Sequence, residues 1–414
     1  MLQPYRQEKL IYQLFYILIA GFMITAFATT SITDLFNGLI KIITMEEVLI
    51  TDYFEVAGFG PALLNTSLVT LLTLSIIRKT GMRMNGLAFA AIFTLIGFSF
   101  FGKNVYNILP IYFGVFLYAN YVNEPLKNFF LIAIFSTCLA PLIGSNFTGT
   151  PSGFILGIAI GIVYGFVIAP LASHVMRFHN GYTLYNVGFA GGMFAIVIAS
   201  IIKTMGFELT SVYFISDEYH YQLLFLSYGI SIVFIILALI NKTFSLKDYL
   251  KLTKRSGRAV TDYFALHNPC TVYMNIGVMG ISITTLALAC QVPFNGPIIG
   301  AIFTIMGFSA FGASPVNACS VIIGAALMHF LSGNELKTEY IITLIFVVGI
   351  SPIAGQYGPI YGILAGMMHY SIVCFSGSWQ GAFNLYNNGF ASGIVAGVLV
   401  SIIDNIRKVE WKWD

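Results

Sequence analysis

Stretches of about 20 consecutive apolar residues recur along the whole chain, separated by short polar joints, and this pattern constrains the fold more than any other feature. A helix needs roughly 20 such residues to cross a bilayer. Charged residues make up only 9% of the 414 positions, whereas a soluble domain is about 25% charged. The sequence therefore predicts an all-α polytopic membrane protein in contact with the lipid bilayer and excludes a soluble fold.

Fourteen apolar segments can be delimited, seven in each half of the chain. In the first half they are 12–31, 57–77, 85–102, 105–121, 128–144, 153–173 and 183–205. In the second half they are 221–241, 270–290, 294–311, 315–332, 339–355, 358–375 and 385–403. The third and fourth segments of each half are short and closely spaced. Each such pair is either two full spans or one re-entrant hairpin.

An internal repeat relates the two halves. The sequence AIFTLIGFSFFG at 91–102 returns as AIFTIMGFSAFG at 301–312, with nine of twelve positions identical and a shift of 210 residues. A shift of 201 residues relates Leu-Tyr-Asn at 184–186 to the same triplet at 385–387. Ordered matches of this kind indicate duplication. They predict a first repeat at 1–210 and a second at 211–414, which together form one transmembrane domain.

The charges near the segment ends predict that the two repeats are inserted upside down relative to one another. The joint that holds Arg78, Lys79 and Arg83 corresponds to an uncharged joint at 290–294. Because cytoplasmic loops are rich in Lys and Arg, the same joint faces opposite sides in the two copies, which defines an inverted repeat. The preceding connection reverses in the other sense. In the first copy it is acidic, with a single Lys41 against Asp34, Glu46, Glu47, Asp52 and Glu55. In the second copy it is basic, with Asp248 and Asp262 against Lys242, Lys247, Lys251, Lys254, Arg255 and Arg258.

Both chain ends are basic, which predicts cytoplasmic termini and a multi-pass location in a bacterial inner membrane. The terminal basic residues are Arg6, Lys9, Arg407, Lys408 and Lys412.

The first candidates for a solute pathway are the two hairpin tips, because inverted-repeat transporters bind substrate where helices break near the bilayer midplane. A glycine can end one helix, and Asn104 or Ser314 can cap the next. The N–H groups at such helix starts suit a polar or anionic solute. An ordinary interfacial turn is the alternative. The tip candidates are Gly102, Lys103, Asn104, Asn107, Gly312, Ser314 and Asn317.

Further candidates are polar residues inside or beside apolar segments. Amides in such places are costly unless paired, so they either hydrogen-bond between helices or line a wet path. A helix break at 351–355 precedes a glutamine, and a plain kink is the alternative interpretation of that break. A histidine inside an apolar segment is either a packing residue or a proton relay. These candidates are Tyr185, Asn186, Tyr386, Asn387, Asn388, Gln356 and His369.

Several classes of function lack support in the sequence. The predicted spans hold no Asp or Glu apart from Glu339 at an edge, and proton or sodium coupling usually relies on buried carboxylates. The net charge of +3 is scattered, which argues against nucleic acid as a partner. The five cysteines have irregular spacing and predict small buried hydrophobic side chains rather than a metal site or disulfides. We expect no enzyme activity and no cofactor.

Two resemblances bear on these expectations. At 101–104 with Asn107 and Pro110, at 140–141, and above all at 384–391 (NLYNNGFA), the chain resembles an uncharacterised bacterial family of multi-spanning membrane proteins, a domain of unknown function. In architecture alone it is similar to the urea transporters, which also consist of two inverted halves around a polar pathway without buried acids. The paired proline-threonine signature of those transporters is not evident here.

The sequence thus predicts a transporter or channel-like facilitator for a small polar solute, which would move between two inverted repeats. A secondary active transporter of a small organic anion or metabolite and a non-transporting scaffold or complex subunit are the alternatives. Assembly as a homo-oligomer is left open.

Overall fold

The computed structural model describes residues 4–45, 50–144, 151–206, 213–240 and 243–408. The predicted boundary at 210/211 lies outside these ranges, as do Glu46, Glu47, Lys242 and Lys412. The described part is almost entirely helical, and the only strands within it are β1 (Ile50–Thr51) and β2 (Tyr213–Phe214), which pair in parallel.

Among the described residues, ten α-helices precede residue 207. They are α1 (Pro4–Thr29), α2 (Ile32–Thr44), α3 (Tyr53–Ala57), α4 (Phe59–Thr80), α5 (Gly86–Phe98), α6 (Val105–Tyr121), α7 (Phe130–Ser136), α8 (Ala140–Gly144), α9 (Pro151–His179) and α10 (Asn186–Thr204).

Ten helices follow in matching order. They are α11 (His220–Ile240), α12 (Leu246–Thr253), α13 (Tyr263–Leu266), α14 (Pro269–Ala289), α15 (Gly296–Phe308), α16 (Pro315–Ser332), α17 (Thr338–Phe346), α18 (Ser351–Tyr357), α19 (Pro359–Trp379) and α20 (Asn387–Lys408). Short 3-10 turns join α7 to α8 and α17 to α18.

Each of the fourteen predicted segments coincides with helix, and ten stretches among the described residues are long and apolar enough to cross a membrane. This confirms the all-α polytopic fold. Helices α5 and α15 have 13 residues each, which gives about 20 Å of length against a hydrocarbon core of about 30 Å. Neither is long enough to cross alone, whereas α16 is one of the ten candidate spans, so helix length does not decide between re-entrant hairpins and full spans.

Helices α5 and α15 cross at the centre of the molecule, and small residues set their separation. A Cβ on Gly97 would lie 2.4 Å from the carbonyl oxygen of Gly300, and one on Gly307 would lie 3.0 Å from that of Ala90. Since residue 97 meets 300 while 90 meets 307, the two helices run antiparallel. Such close approach of backbones through glycine is typical of membrane helix pairs.

A carboxylate from the other half of the chain lies at the start of each short helix. The Asp52 side chain accepts a hydrogen bond from the Gly296 N–H, and Asp262 accepts one from the Gly86 N–H, both at 3.1 Å. A carboxylate at a helix N-terminus satisfies free N–H groups and opposes the positive end of the helix dipole. The sequence Thr-Asp-Tyr-Phe, present at 51–54 and again at 261–264, therefore joins the halves reciprocally. Asp52, predicted to lie in a connection between apolar segments, is fully buried.

The cysteine prediction was wrong in part. Cys138 and Cys270 are buried and Cys290 is half-buried, but Cys319 and Cys374 are exposed on the surface of the chain. The side chain of Cys319 lies on a stripe of exposed apolar residues along α16, which includes Val316, Ile323, Leu327 and Phe330.

Candidate functional site

The two hairpin tips are built alike, and an asparagine from a neighbouring helix holds each one. The Asn65 amide nitrogen donates to the carbonyl oxygens of Ser99 and Lys103 at 2.8 and 2.9 Å. Asn275 donates in the same way to Ser309 and Ala313, at 2.7 and 2.8 Å. Each clamp thus fixes the backbone on both sides of a tip.

The predicted helix caps at the tips are confirmed. Asn104 and Asn107 form a capping box at the start of α6, and Ser314 and Asn317 form one at the start of α16. The Asn107 amide also donates to the carbonyl oxygen of Gly102 at 3.1 Å. These polar groups are therefore engaged within the tips, and none of the four side chains lines either of the cavities described below.

The tip glycines have the left-handed backbone that their position requires, with φ of +94° at Gly102 and +97° at Gly312. Each packs against a leucine of the opposite half. A Cβ on Gly102 would lie 2.7 Å from Leu385, and one on Gly312 would lie 2.7 Å from Leu184. The tips thereby contact the two Leu-Tyr-Asn motifs, which the sequence places far away along the chain.

Lys103 breaks the symmetry of the tips, since Ala313 occupies the equivalent position in the second repeat. Its side chain is completely buried, and its ammonium donates to the Tyr386 hydroxyl at 2.6 Å. The same nitrogen lies 5.1 Å from the ring centre of Phe98 and 4.6 Å from that of Tyr386. Among the described residues, no carboxylate lies within ion-pair distance of it.

The first turns of α10 and α20 cross at the centre. Gly188 and Gly389 are in close contact there. The Asn186 amide nitrogen donates to the Ala172 carbonyl at 3.0 Å, and its oxygen lies 2.9 Å from the His179 ring. Asn387 accepts from Ser376 at 2.6 Å and from Gln380 at 2.7 Å. Both amides are thus paired within the helix bundle.

Two cavities flank this crossing. The aromatic cavity, of about 140 Å³, is lined by Phe98, Phe308 and Phe346 together with Tyr185, Tyr386 and the first residues of α10. The polar cavity, of about 440 Å³, is lined by Lys203, Lys337, Glu339 and the start of α20. Asn186 and Lys203 stand at opposite ends of α10, which places them about 26 Å apart along its axis. The outer parts of the two cavities therefore lie at opposite ends of that helix.

The cavities are lined by equivalent residues of the two repeats. In each of the following pairs, the first residue lines the aromatic cavity and its equivalent in the other repeat lines the polar cavity: Phe135 and Phe346, Leu184 and Leu385, Asn186 and Asn387, Phe311 and Phe101, Leu131 and Ile342, and Val260 and Ile50.

Three residues line both cavities and therefore form the wall between them. They are Phe346, Leu385 and Asn388. These three side chains thus separate the aromatic cavity, which leads to exposed Val260, from the polar cavity, which leads to exposed Lys337.

Three residues that line the aromatic cavity carry buried polar atoms without a partner. Tyr185, Thr94 and Asn388 line it and are at most 8% exposed. Within the described part of the chain, the hydroxyls of Tyr185 and Thr94 and the amide oxygen of Asn388 have no hydrogen-bond partner. Buried polar atoms in native structures are nearly always bonded, so exceptions point to water or a ligand.

Comparison with known families accounts for most of the chain. The family described as "Protein of unknown function (DUF1576)" matches residues 31–204 and 241–405. The chain belongs to this family. No curated protein and no solved structure matches it. The resemblance found in the sequence is thereby confirmed, and membership in DUF1576 carries no activity with it.

Two further predicted residues of the DUF1576 chain lie in different settings. His369 is buried in α19, and its Nε2 lies 3.1 Å from the carbonyl oxygen of Asn388, so it contacts the wall from behind. Gln356 lies exposed on α18 and lines neither cavity. Within the described ranges, no three His, Cys, Asp or Glu side chains group as metal ligands would.

The sequence interpretation missed the two asparagine clamps of this DUF1576 protein. Asn65 and Asn275 are related by the same shift of 210 residues as the hairpins, and each lies inside an apolar segment. That combination was the available signal, since an amide in a membrane helix needs a partner.

Proposed function

We propose that the protein is a membrane transporter or channel-like facilitator for a small polar solute, which moves between the aromatic and polar cavities. The observation that carries the proposal is the shared wall of Phe346, Leu385 and Asn388. Two cavities that share a wall one side chain thick, and whose outer parts lie at opposite ends of α10, fit a pathway that is closed at a single level. A solid bundle needs neither cavity.

The proposal includes the architecture predicted from the sequence. Two inverted repeats would lie in a bacterial inner membrane with both termini in the cytoplasm, and the pathway would run along their interface. The antiparallel crossing of α5 and α15 and the reciprocal Asp52 and Asp262 contacts support such a relation. In inverted-repeat transporters, alternating access comes from the movement of one repeat or bundle against the other around a fixed central site.

Asn388 is the polar member of the wall, and its equivalent in the first repeat is Val187. Since valine occupies that place in the other repeat, the helix start itself does not require an amide. The unpartnered amide oxygen of Asn388 is therefore available to a solute that crosses the wall.

Uptake of labelled small solutes into proteoliposomes tests the proposal. We expect at least one polar solute to equilibrate faster than in empty vesicles, and Asn388→Val to slow it about fivefold, as expected for the loss of one hydrogen bond of about 1 kcal/mol. Phe346→Ala, which thins the wall, should speed the flux. Uptake that matches empty vesicles for every solute, in wild type and in Phe346→Ala, would refute transport.

The double variant Asn186→Leu and Asn387→Leu is a second probe. Both amides line a cavity and both also hold neighbouring helices. We therefore expect loss of flux together with loss of stability, whereas Asn388→Val should lose flux alone.

A further inference from the structure

We propose that helix α12 and the turn after it bind an anionic phospholipid, with the apolar edge of the helix among the acyl chains and its lysines on the phosphate headgroup. The site goes beyond the proposed function, because it requires neither cavity and no movement of solute. Five basic side chains, all exposed, form its polar part: Lys247, Lys251, Lys254, Arg255 and Arg258.

Contacts with the ends of two apolar helices fix the position of α12. Only residues 241–245 separate it from α11, and α14 begins at Pro269; both of these helices are long and apolar enough to cross a membrane. The Asp248 carboxylate of α12 accepts a hydrogen bond from the Thr271 hydroxyl, in the first turn of α14, at 2.9 Å. Its other oxygen lies 3.0 Å from the His267 ring. Helix α12 therefore lies where two spans meet the membrane surface.

The surface of α12 is that of a helix lying in the plane of the membrane. Leu246 and Leu250, one turn apart, are 62% and 51% exposed, whereas Leu252 on another side is buried against the protein. Since successive residues turn by about 100°, the lysines lie on the strip next to this apolar edge, about 40° to 100° beyond Leu250. A basic strip beside an apolar edge is typical of interfacial helices. The three lysines are Lys247, Lys251 and Lys254.

The positive charge of this surface has no counter-charge among the described residues. In that part of the chain, none of the five basic side chains has a carboxylate within ion-pair distance. Arg255 donates to the His267 ring and Arg258 to the backbone carbonyl of Asn180, both at 2.8 Å. Asp248, the acidic residue of α12, is engaged by His267 on the protein side. The lysines therefore remain for an anionic partner, and clusters of Lys and Arg beside a span attract anionic lipid headgroups.

The first repeat has the same helix with the same apolar edge. The shift of 210 residues that relates the hairpins places α2 on α12, with Phe36 at the position of Leu246 and Ile40 at that of Leu250. Phe36 and Ile40 are 59% and 58% exposed. A position at the membrane surface is therefore a property that both repeats share.

The basic strip, in contrast, belongs to the second repeat alone. Asn37 and Thr44 occupy the positions equivalent to Lys247 and Lys254, and only Lys41 matches a lysine of α12. A helix of this kind thus forms and packs without the two added lysines. Their presence in one repeat indicates a partner with negative charge on that side of the membrane.

The site adjoins the second hairpin tip. The carbonyl oxygen of Thr253, the last residue of α12, accepts a hydrogen bond from the Ser314 hydroxyl at 3.3 Å. The carbonyl oxygen of Ser256 accepts one from the Asn317 amide at 3.4 Å. A lipid that holds α12 at the membrane surface therefore also holds the segment that contacts this tip. Because the lipid binds the folded protein, it should raise the melting temperature.

Native mass spectrometry of the detergent-purified protein, titrated with phosphatidylglycerol or phosphatidylcholine, tests the site. We expect tighter binding of phosphatidylglycerol, together with a rise in melting temperature. Lys247→Asn with Lys254→Thr, which gives α12 the residues of α2, should weaken this binding about fivefold per lysine and about 25-fold in all. Lys247→Arg with Lys254→Arg should bind like the wild type. Lys79→Asn with Arg83→Asn, the control, removes the same charge from another basic joint and should not weaken the tightest site.

Equal affinity for the two lipids would overturn the assignment, and so would equal weakening by Lys247→Asn with Lys254→Thr and by the control. Soluble glycerol phosphate that binds as tightly as phosphatidylglycerol would overturn it too, because such an anion makes no use of the apolar edge. Leu246→Gln with Leu250→Gln removes that edge and should weaken the binding of phosphatidylglycerol; unchanged binding would refute the lipid contact.

The lipid-free melting temperature shows whether each variant folds, as the first repeat leads us to expect for Lys247→Asn with Lys254→Thr. None of these results depends on flux, so the proposed function stands or falls by its own uptake assay.

Discussion

Replacing Asn65 with leucine should loosen the first hairpin tip. The substitution keeps the side-chain size and removes two hydrogen bonds, of 2.8 and 2.9 Å, to the carbonyl oxygens of Ser99 and Lys103. Bonds in membrane proteins average about 0.6 kcal/mol, which sets a lower bound near 1 kcal/mol for the two. Buried acceptors left without a donor cost about 1–3 kcal/mol each. Because Asn65 is only 2% exposed, water cannot easily replace the amide, and we expect a loss of roughly 2–4 kcal/mol.

Unfolding by sodium dodecyl sulfate in mixed micelles, followed by circular dichroism, measures this loss. Asn275→Leu is the matched variant at the second tip and should cost a similar amount, since it also removes two short bonds. Asn120→Leu is the control, because that exposed amide bonds only its own helix at Phe116. If Asn65→Leu changes the free energy of unfolding no more than Asn120→Leu does, the amide does not hold the tip and the clamp interpretation is wrong.

Three further expectations concern the crossing, the polar cavity and the unpartnered hydroxyl. Gly97→Leu should prevent the close approach of α5 and α15 and greatly reduce the yield of folded protein. Gly21→Leu should not, because a Cβ on Gly21 would meet no other atom within 4 Å. Size-exclusion profiles of the two variants compare their yields of folded protein. A membrane-impermeant thiol reagent should modify Cys374, which lines the polar cavity, and leave Cys319 on its apolar stripe unmodified; equal labelling by mass spectrometry would count against a water-filled cavity. Tyr185→Phe removes a hydroxyl that has no hydrogen-bond partner. The melting temperature of this variant should therefore not fall, whereas its solute flux should change. A clear loss of stability would show that the hydroxyl does have a partner.

The sequence was sufficient for the polytopic class and for the positions of the long apolar helices, because both follow from local composition, but it gave no segment for α2 or α12. A run of apolar residues must leave water wherever it occurs in the chain, and its length decides whether it can span. The tip chemistry was equally local: glycine with φ above zero, then Asn104 or Ser314 as a helix cap.

The structure decided the relations between distant segments. Asp52 stands 244 positions before Gly296 in the chain, and Lys103 stands 283 before Tyr386. Neither contact has a local signature, since each depends on how two halves pack. The same holds for the wall, because Phe346 reads in sequence only as an apolar residue and nothing in the Leu-Tyr-Asn repeat shows that Leu385 lies beside it.

Taken alone, then, the sequence determined which segments enter the membrane and that one unit occurs twice, since hydropathy and identity are properties of single stretches of chain. Only the tertiary structure decided that the unit's two copies interlock through Gly97 and Gly300, and that a lysine present in one copy lies against a tyrosine of the other. Those outcomes depend on the separation and angle of helices, which side-chain packing sets across the whole bundle.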